Sequence, residues 1–203
     1  GLATLLGGVS RVAMEYSPKC AIPSISRVDA GTIELIRQTG VDVVSSGDLV
    51  QRFDAVWGAD LVASHRQASV KLHRIKDRAF EAIAARIGGG IPTSEYDIQQ
   101  LMAAWFLEEG LVSDSEPNVS ASENAGNPHY LPTASVHRTI SAEELVLLDL
   151  WGKLDEPGAV YADITWVGYA GRVVPERYAK AFAAVAAARD AAVALVQRAV
   201  AGG

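Results

Sequence analysis

The chain has 203 residues, of which 49% are hydrophobic and 21% charged, as is typical of a globular protein with one large or two small domains. Its formal net charge of -6 and its lack of a long apolar run argue against nucleic acid and membrane as partners. The only cysteine, Cys20, excludes an internal disulfide and favours a reducing compartment, so we expect a cytoplasmic protein.

Strands and helices alternate over residues 1–57. An apolar run at 12–14 predicts a strand, and Asp29 is a suitable N-cap for a helix over 31–38. A second strand is predicted over 41–44, and a further helix follows it. This alternation is typical of an α/β domain. We therefore predict that residues 1–57 are the end of such a domain.

Two consecutive helices are predicted next. The first spans 59–87 and ends at the glycines 88–90, and the second runs from 93 to 109. His65 lies on the apolar stripe of the first helix, where a packed or hydrogen-bonded histidine is commoner than a ligand. The stripe recurs at steps of three and four residues. It consists of Leu61, His65, Ala68, Leu72, Ile75, Ala79, Ile83 and Ile87.

A polar segment over 112–138 separates these helices from the next apolar run. It contains a predicted strand at 117–122 and a turn at 123–128, which is followed at once by His129. An imidazole beside a polarised carbonyl can donate a hydrogen bond to the developing oxyanion. The alternative is a loop histidine without a catalytic task. His137 is a second and weaker candidate for a site residue.

The most informative stretch is a predicted β-hairpin. Its strands span 145–152 and 159–167, and the turn between them contains proline and glycine. If the turn is centred on Glu156, Asp149 and Asp163 lie directly opposite each other on one face. Two facing carboxylates repel each other, and a divalent cation removes that repulsion. The pair therefore predicts half of a metal site, and the alternative is a surface hairpin with two solvated aspartates.

A last helix is predicted over 175–201. Proline suits its first position, and Glu176 suits the positive end of the helix dipole. Its apolar residues predict a buried face, and its many alanines permit close packing against the sheet. This face comprises Tyr178, Phe182, Val185, Val193, Val196 and Val200.

The hairpin resembles the metal-binding hairpin of the pita-bread metallopeptidases. That family includes methionine aminopeptidase, aminopeptidase P, prolidase and creatinase. The resemblance lies in Leu147-Leu-Asp149 and Tyr161-Ala-Asp163-Ile-Thr165, and it implies that Asp149 and Asp163 are the first two metal ligands. The interval between the two aspartates is longer than is usual in the family. Trp166 also stands where an arginine commonly follows the D-I-T motif.

Other segments resemble the same family. Asn127-Pro-His-Tyr130 is similar to the segment whose histidine lies beside the metals and contacts the substrate, which implies that role for His129. Residues 13–18 and 43–50 resemble the end of the N-terminal domain in aminopeptidase P-like and creatinase-like proteins. The implied architecture is an α/β (α+β) pita-bread fold. Residues 1–57 would end a creatinase-type N-terminal domain, and 58–203 would form the first half of the catalytic domain.

The resemblance implies a metallopeptidase that hydrolyses the bond before proline in dipeptides or short peptides. The parent enzyme would bind two divalent ions, which could be manganese, cobalt, zinc or iron, and a homodimer is expected. Its partner would be a small peptide substrate. The alternatives on the same fold are a creatinase-like hydrolase, a lyase acting on a small molecule, and a non-catalytic peptide-binding homologue.

The family site needs one histidine and two glutamates after the aspartate pair. Beyond Asp163 the sequence has no histidine, and its only acidic residues are Glu176 and Asp190, which both lie in the predicted helix. The resemblance therefore implies a C-terminally truncated chain. Because lost charged ligands weaken metal binding sharply, we expect little or no peptidase activity and possible absence of bound metal in this chain alone.

Overall fold

A computed structural model describes residues 1–202 of the chain. The chain divides into two compact units, Gly1–Asp60 and the residues from Leu61 onward. No helix within residues 1–202 is both long and apolar enough to cross a membrane. The assignment of 1–57 and 58–203 to the two domains of a creatinase-type architecture stays a prediction.

The first unit is a small α/β arrangement, as predicted. It contains α1 (Leu2–Leu5), β1 (Arg11–Met14), α2 (Ala30–Gln38), β2 (Asp42–Ser45) and α3 (Gly47–Val50), followed by a π-helical turn, Gln51–Ala55. The two strands are parallel, and the crossover between them contains α2.

The cap of α2 confirms the predicted role of Asp29. Its side chain accepts a hydrogen bond from the backbone N–H of Thr32 at 2.9 Å, and the Thr32 hydroxyl also donates to it. These bonds from Thr32 hold the pKa of the Asp29 carboxyl below its ordinary value. The small core of the unit is then completed by Ile33, Ile36, Val41 and Val43.

The second unit begins with two long helices, α4 (Ala59–Gly88) and α5 (Glu95–Glu108). The glycines after α4 end it as predicted, and Gly90 adopts a φ of +67°. The N-terminus of α5 lies slightly later than predicted, because Ser94 caps it. The Ser94 hydroxyl accepts from the N–H of Asp97, and the Asp97 carboxylate accepts from the N–H of Ser94.

A four-stranded antiparallel sheet follows. It consists of β3 (Leu111–Val112), β4 (Asn118–Ala121), β5 (Leu145–Leu154) and β6 (Ala162–Tyr169). Strand β5 is central, since β3 and β4 pair with it along one edge and β6 pairs with its other edge.

Burial alternates strictly along β5. Its even-numbered residues from Val146 to Leu154 are buried, and its odd-numbered residues are only half-buried. The buried face forms one core with residues of α4 and α5, including Leu72, Ile75 and Met102. The odd-numbered face, which bears Asp149, is therefore the face of β5 that remains accessible to ligands.

The last helix, α6 (Glu176–Ala201), does not pack as predicted. It forms over the expected residues, but none of them is buried. Phe182 is 58% exposed and Val185 is 69% exposed. The predicted burial of its apolar face against the sheet is therefore wrong for the described part of the chain. Periodicity identified the helix and its apolar residues, but it carries no information on whether anything covers them.

Candidate metal centre on the β5–β6 hairpin

The hairpin forms, but its register differs from the prediction. Asp149 pairs with Thr165, and Asp163 pairs with Trp151. The two aspartates are therefore offset by two residues along the hairpin. The prediction of direct opposition is therefore wrong. The cause is the length of β5, which continues to Leu154 because β3 pairs with Lys153 and Leu154. That extension moves the turn toward the C-terminus.

The two carboxylates nevertheless share one face of the sheet. Trp151 lies two residues after Asp149 and so points to the same side, and Asp163 is directly across from Trp151. Diagonal neighbours of this kind have Cα atoms roughly 7–8 Å apart, within reach of a common ligand. Asp149 is half-buried and Asp163 is exposed, so a cation could approach both from solvent.

The electrostatics of the pair agree with a cation site. Although Asp163 is exposed as a residue, neighbouring atoms partly desolvate its carboxyl, and this desolvation raises the pKa of that group. The negative charge of Asp149 raises the pKa further. Both effects disfavour the ionised form of Asp163 in the metal-free chain. A divalent cation would reverse this balance, and carboxylate oxygens are ligands that manganese and similar ions accept. The aspartate pair thus fits half of a metal site.

Thr165 is a site residue for which the sequence suggested no role. Its hydroxyl donates a hydrogen bond of 2.6 Å to Oδ1 of Asp149. A hydrogen bond to a charged acceptor is among the stronger kinds, and it restricts the rotation of the carboxylate. The available signal was the alternation of side chains, since Thr165 lies two residues after Asp163 and must share its face.

Asn118 and Trp151 complete the surroundings of the pair. Asn118 of β4 is paired with Asp149 on the edge of β5 opposite Thr165. The Trp151 indole N–H donates to the Asp114 carboxylate at 2.6 Å, which holds the ring beside Asp163. Asn118 was missed because cross-strand neighbours cannot be read before the register is known.

His129 lies on a different segment from the aspartates. It is exposed in the turn that follows β4, and its backbone N–H donates to Oδ1 of Asn127 at 3.0 Å. Within residues 1–202 no three His, Cys, Asp or Glu side chains are grouped closely enough to hold a metal ion. His129 is therefore not gathered with the pair as a ligand, and its contact with substrate stays a prediction.

The other candidate histidines have partners of their own. Nδ1 of His65 is 2.8 Å from the carbonyl oxygen of Tyr161, in agreement with the hydrogen-bonded role expected for it. Nδ1 of His137 is 2.8 Å from the carbonyl oxygen of Thr133, and its ring stacks on Tyr96 with the centroids 5.8 Å apart. These contacts favour structural roles for both.

The model of Metallopeptidase family M24 matches residues 68–203. The chain belongs to this family. The matched region contains α5, the whole sheet and both hairpin aspartates, so the resemblance inferred from the hairpin motif is confirmed. Curated protein sequences yield no significant match.

Several solved structures have a related fold. The dipeptidase PepE of Mycobacterium ulcerans is 20% identical with a TM-score of 0.55, over 81% of this chain and 39% of that protein. A prolidase from Thermococcus sibiricus is 20% identical with a TM-score of 0.58, over 82% and 43%. An X-Pro aminopeptidase from Thermotoga maritima is 17% identical with a TM-score of 0.52, over 88% and 46%.

These similarities confirm the predicted α/β pita-bread fold class of the M24 chain. At such low identity they speak for the fold alone. The chain spans between 39% and 46% of the length of these three proteins.

Proposed function

We propose that this M24 chain is part of a metal-dependent peptidase of the Xaa-Pro type. The substrate would be a dipeptide or short peptide, cleaved at the bond before proline. The observation that carries the proposal is the placement of Asp149 and Asp163 on one accessible face of the sheet, within a chain of a metallopeptidase family. The kinship in fold to a prolidase and an X-Pro aminopeptidase supports the substrate class.

The resemblance to the family implies the roles of the chain's own residues. Asp149, held by the Thr165 hydroxyl, would offer carboxylate oxygens to one divalent ion, and Asp163 would offer its oxygens to two. Such ions, when bound, lower the pKa of a coordinated water and polarise a scissile carbonyl. His129 would donate a hydrogen bond to the substrate and so orient it. Manganese, cobalt, zinc and iron all accept such a carboxylate-rich site.

Paramagnetic Mn²⁺ tests the metal-binding half of this proposal. In NMR spectra of the 203-residue chain, added Mn²⁺ should selectively broaden the Trp151 indole N–H and the amides around Asp149 and Asp163. D149N and D163N should each abolish the effect. D155N, which removes a carboxylate from the turn of the same hairpin, is the matched control and should retain it. Equal broadening in D163N and the wild type would refute the site.

The substrate class is tested with dipeptides in the presence of diamagnetic Zn²⁺. Ala-Pro should shift the His129 and hairpin resonances at lower concentration than Ala-Ala does. We also expect little or no hydrolysis of Ala-Pro by this chain alone, because two carboxylates hold divalent ions weakly. Equal responses to the two dipeptides would contradict the proline preference. Shifts without turnover in a chain that carries the histidine and two glutamates of the family site as well would favour a peptide-binding protein.

A further inference from the structure

Glu95 is a fully buried carboxylate that the proposed chemistry does not use. It lies in the first turn of α5, and its relative exposure is 0%. An acidic residue suits the N-terminus of a helix, but a surface glutamate would satisfy that preference equally well. Burying a charged group is costly unless hydrogen bonds compensate for the lost water.

Donors from four residues converge on the Glu95 carboxylate. The N–H of Ala121 donates at 2.7 Å, and the Asn124 side-chain amide donates to both oxygens at 3.0 and 3.2 Å. The N–H of Arg138 donates at 2.8 Å, and the Tyr130 hydroxyl also donates. Every partner is a donor, so the site matches an acceptor-only anion.

These partners lie on both sides of His129 in the sequence. Asn124 lies five residues before His129, and Tyr130 is the residue after it. Between them, the N–H of Asn127 donates to the carbonyl of Asn124, and that of Tyr130 donates to the carbonyl of Asn127. His129 itself is exposed. Hydrogen bonds that end at Glu95 thus flank the turn that carries the imidazole.

The Glu95 carboxylate also binds Arg138, at the C-terminal end of the 121–138 segment. The Glu95 N–H donates to the carbonyl of Arg138 at 3.0 Å while the Arg138 N–H donates back to the carboxylate. The Arg138 guanidinium in turn pairs with Glu123 and Glu144. Residues 121–138 therefore form a loop tied to one point on α5.

We propose that Glu95 is a positioning residue that sets the place of the His129 imidazole relative to the sheet. The importance of Glu95 for catalysis rests on the proposed function, in which His129 contacts the substrate. The positioning of His129 by Glu95 does not depend on that function. Loss of the carboxylate should release the 127–130 turn while the sheet and helices remain folded.

The decisive variant is E95Q, which keeps the size of the side chain but places an amide N–H₂ against a ring of donors. We expect hydrogen exchange of the His129 N–H to become about tenfold faster, as a local opening would allow. This N–H is bonded to Asn127 and not to Glu95, so its exchange reports on the turn. The imidazole Cε1–H resonance of His129 should shift, and those of His65 and His73 on α4 should not.

Q99M is the matched control. Gln99 is also buried on α5 and donates to the carbonyl of Pro117 at 3.1 Å, outside the 121–138 loop. Q99M should lower global stability but leave the His129 resonance unchanged. A comparable disturbance of His129 in Q99M, or none in E95Q, would overturn the proposal.

Y130F covers the case in which E95Q fails to fold. It removes a single hydrogen bond to Glu95, next to His129, and should shift the His129 resonance while leaving the Ala121 N–H protected. An unshifted resonance would also overturn the proposal. Mn²⁺ broadening at Trp151 should persist in both variants. Its absence in the wild type would count against the proposed function and not against the role of Glu95.

Discussion

Two aspartates and a threonine define the candidate metal-binding face at the scale of single residues. Asp149 and Asp163 are offset along the hairpin, but alternation keeps both on the same side of the sheet. Thr165 contributes a fixed hydrogen bond to Asp149. The difference between the two acids is exposure, since Asp163 is the more accessible one. Its carboxyl is therefore the easier one to probe by titration.

Asp163 should give the metal-free chain a pH-dependent stability. Its pKa in the folded chain is raised above the ordinary value of 3.8, by burial and then by the charge of Asp149. Between those two pKa values the folded chain binds more protons than the unfolded chain, so stability falls as the pH rises. Above the pKa of Asp163 in the folded chain, the full loss of folding stability caused by ionisation of this carboxyl is present. D163N, which cannot ionise, should therefore be more stable than the wild type at neutral pH.

Urea unfolding between pH 3 and pH 8 measures this difference. The advantage of D163N should disappear below the unfolded pKa of 3.8, where the wild-type carboxyl is protonated in both states. D155N removes a carboxylate from the turn without touching the pair, and it should not reproduce the effect. If D163N is less stable at neutral pH, the repulsion inferred from the pair is wrong.

Glu95 shows where reasoning from single residues fails. The capping box of Ser94 and Asp97 is readable as a local motif, and the structure contains it. A glutamate between them is compatible with a solvated first turn. Its burial depends on Ala121, Asn124, Tyr130 and Arg138, which are between 26 and 43 residues away. No local pattern encodes such a convergence.

At the scale of elements, β5 makes a close junction with α5. Gly152 lies where β5 meets α5 and β3. A Cβ atom added there would lie 2.8 Å from Cε1 of Phe106 and 3.2 Å from the carbonyl oxygen of Val112. Only glycine permits this approach without displacement of its neighbours. A substitution at position 152 is therefore a sensitive test of the packing between β5 and Phe106.

G152A should destabilise the second unit by about 1–3 kcal/mol, the usual range for overpacking a well-filled core. Chemical denaturation followed by far-UV circular dichroism measures the change. G126A is the matched control, since a Cβ atom there meets nothing within 4 Å. Equal effects of the two substitutions would show that the close approach of Phe106 is not what requires glycine at position 152.

Helix α6 shows that the periodicity of apolar residues predicts a helix but not its burial. Its 26 residues form a continuous helix that begins at Glu176, so Pro175 is the N-cap and not the first helical residue as predicted. Its apolar side chains recur along it. Periodicity of this kind implies an apolar face, but burial requires a second surface. Within residues 1–202 no such surface buries any residue of α6.

At the scale of the whole molecule, the two units differ in the size of their cores. The first unit buries Ile33, Ile36, Val41 and Val43, whereas the core of the second unit draws on two long helices and a four-stranded sheet. Small units bury a smaller fraction of their surface and are correspondingly less stable. The first unit should therefore open at a lower denaturant concentration than the second.

Hydrogen exchange followed by mass spectrometry tests this order. At low urea concentrations, peptides from α2 and β2 should lose protection before peptides from β5 do, because local opening needs less free energy where few apolar groups are buried. Val43 and Leu148 are suitable reporters, since both are buried in their own unit. Simultaneous loss of protection in the two peptides would show that the units unfold as one.

The sequence alone determined the order of the elements other than α1 and β3, the N-cap of α2 and, through the resemblance of the hairpin motif, the family. The order of these elements and the cap depend on neighbours within one turn or one strand, so local propensity and alternation suffice to predict them. The register of β5 and β6, by contrast, depends on β3, which is distant in the chain.

Only the tertiary structure decided that register, the burial of Glu95 and the exposure of α6. Each depends on contacts between segments that are distant in the sequence. The unfolded chain can form many such contacts, and only the total free energy of packing, set against the loss of conformational entropy, selects the native ones. The prediction that the two aspartates share one face holds although the predicted register is wrong. An offset of two residues returns a strand to the same side, whereas an offset of one would have placed the aspartates on opposite faces.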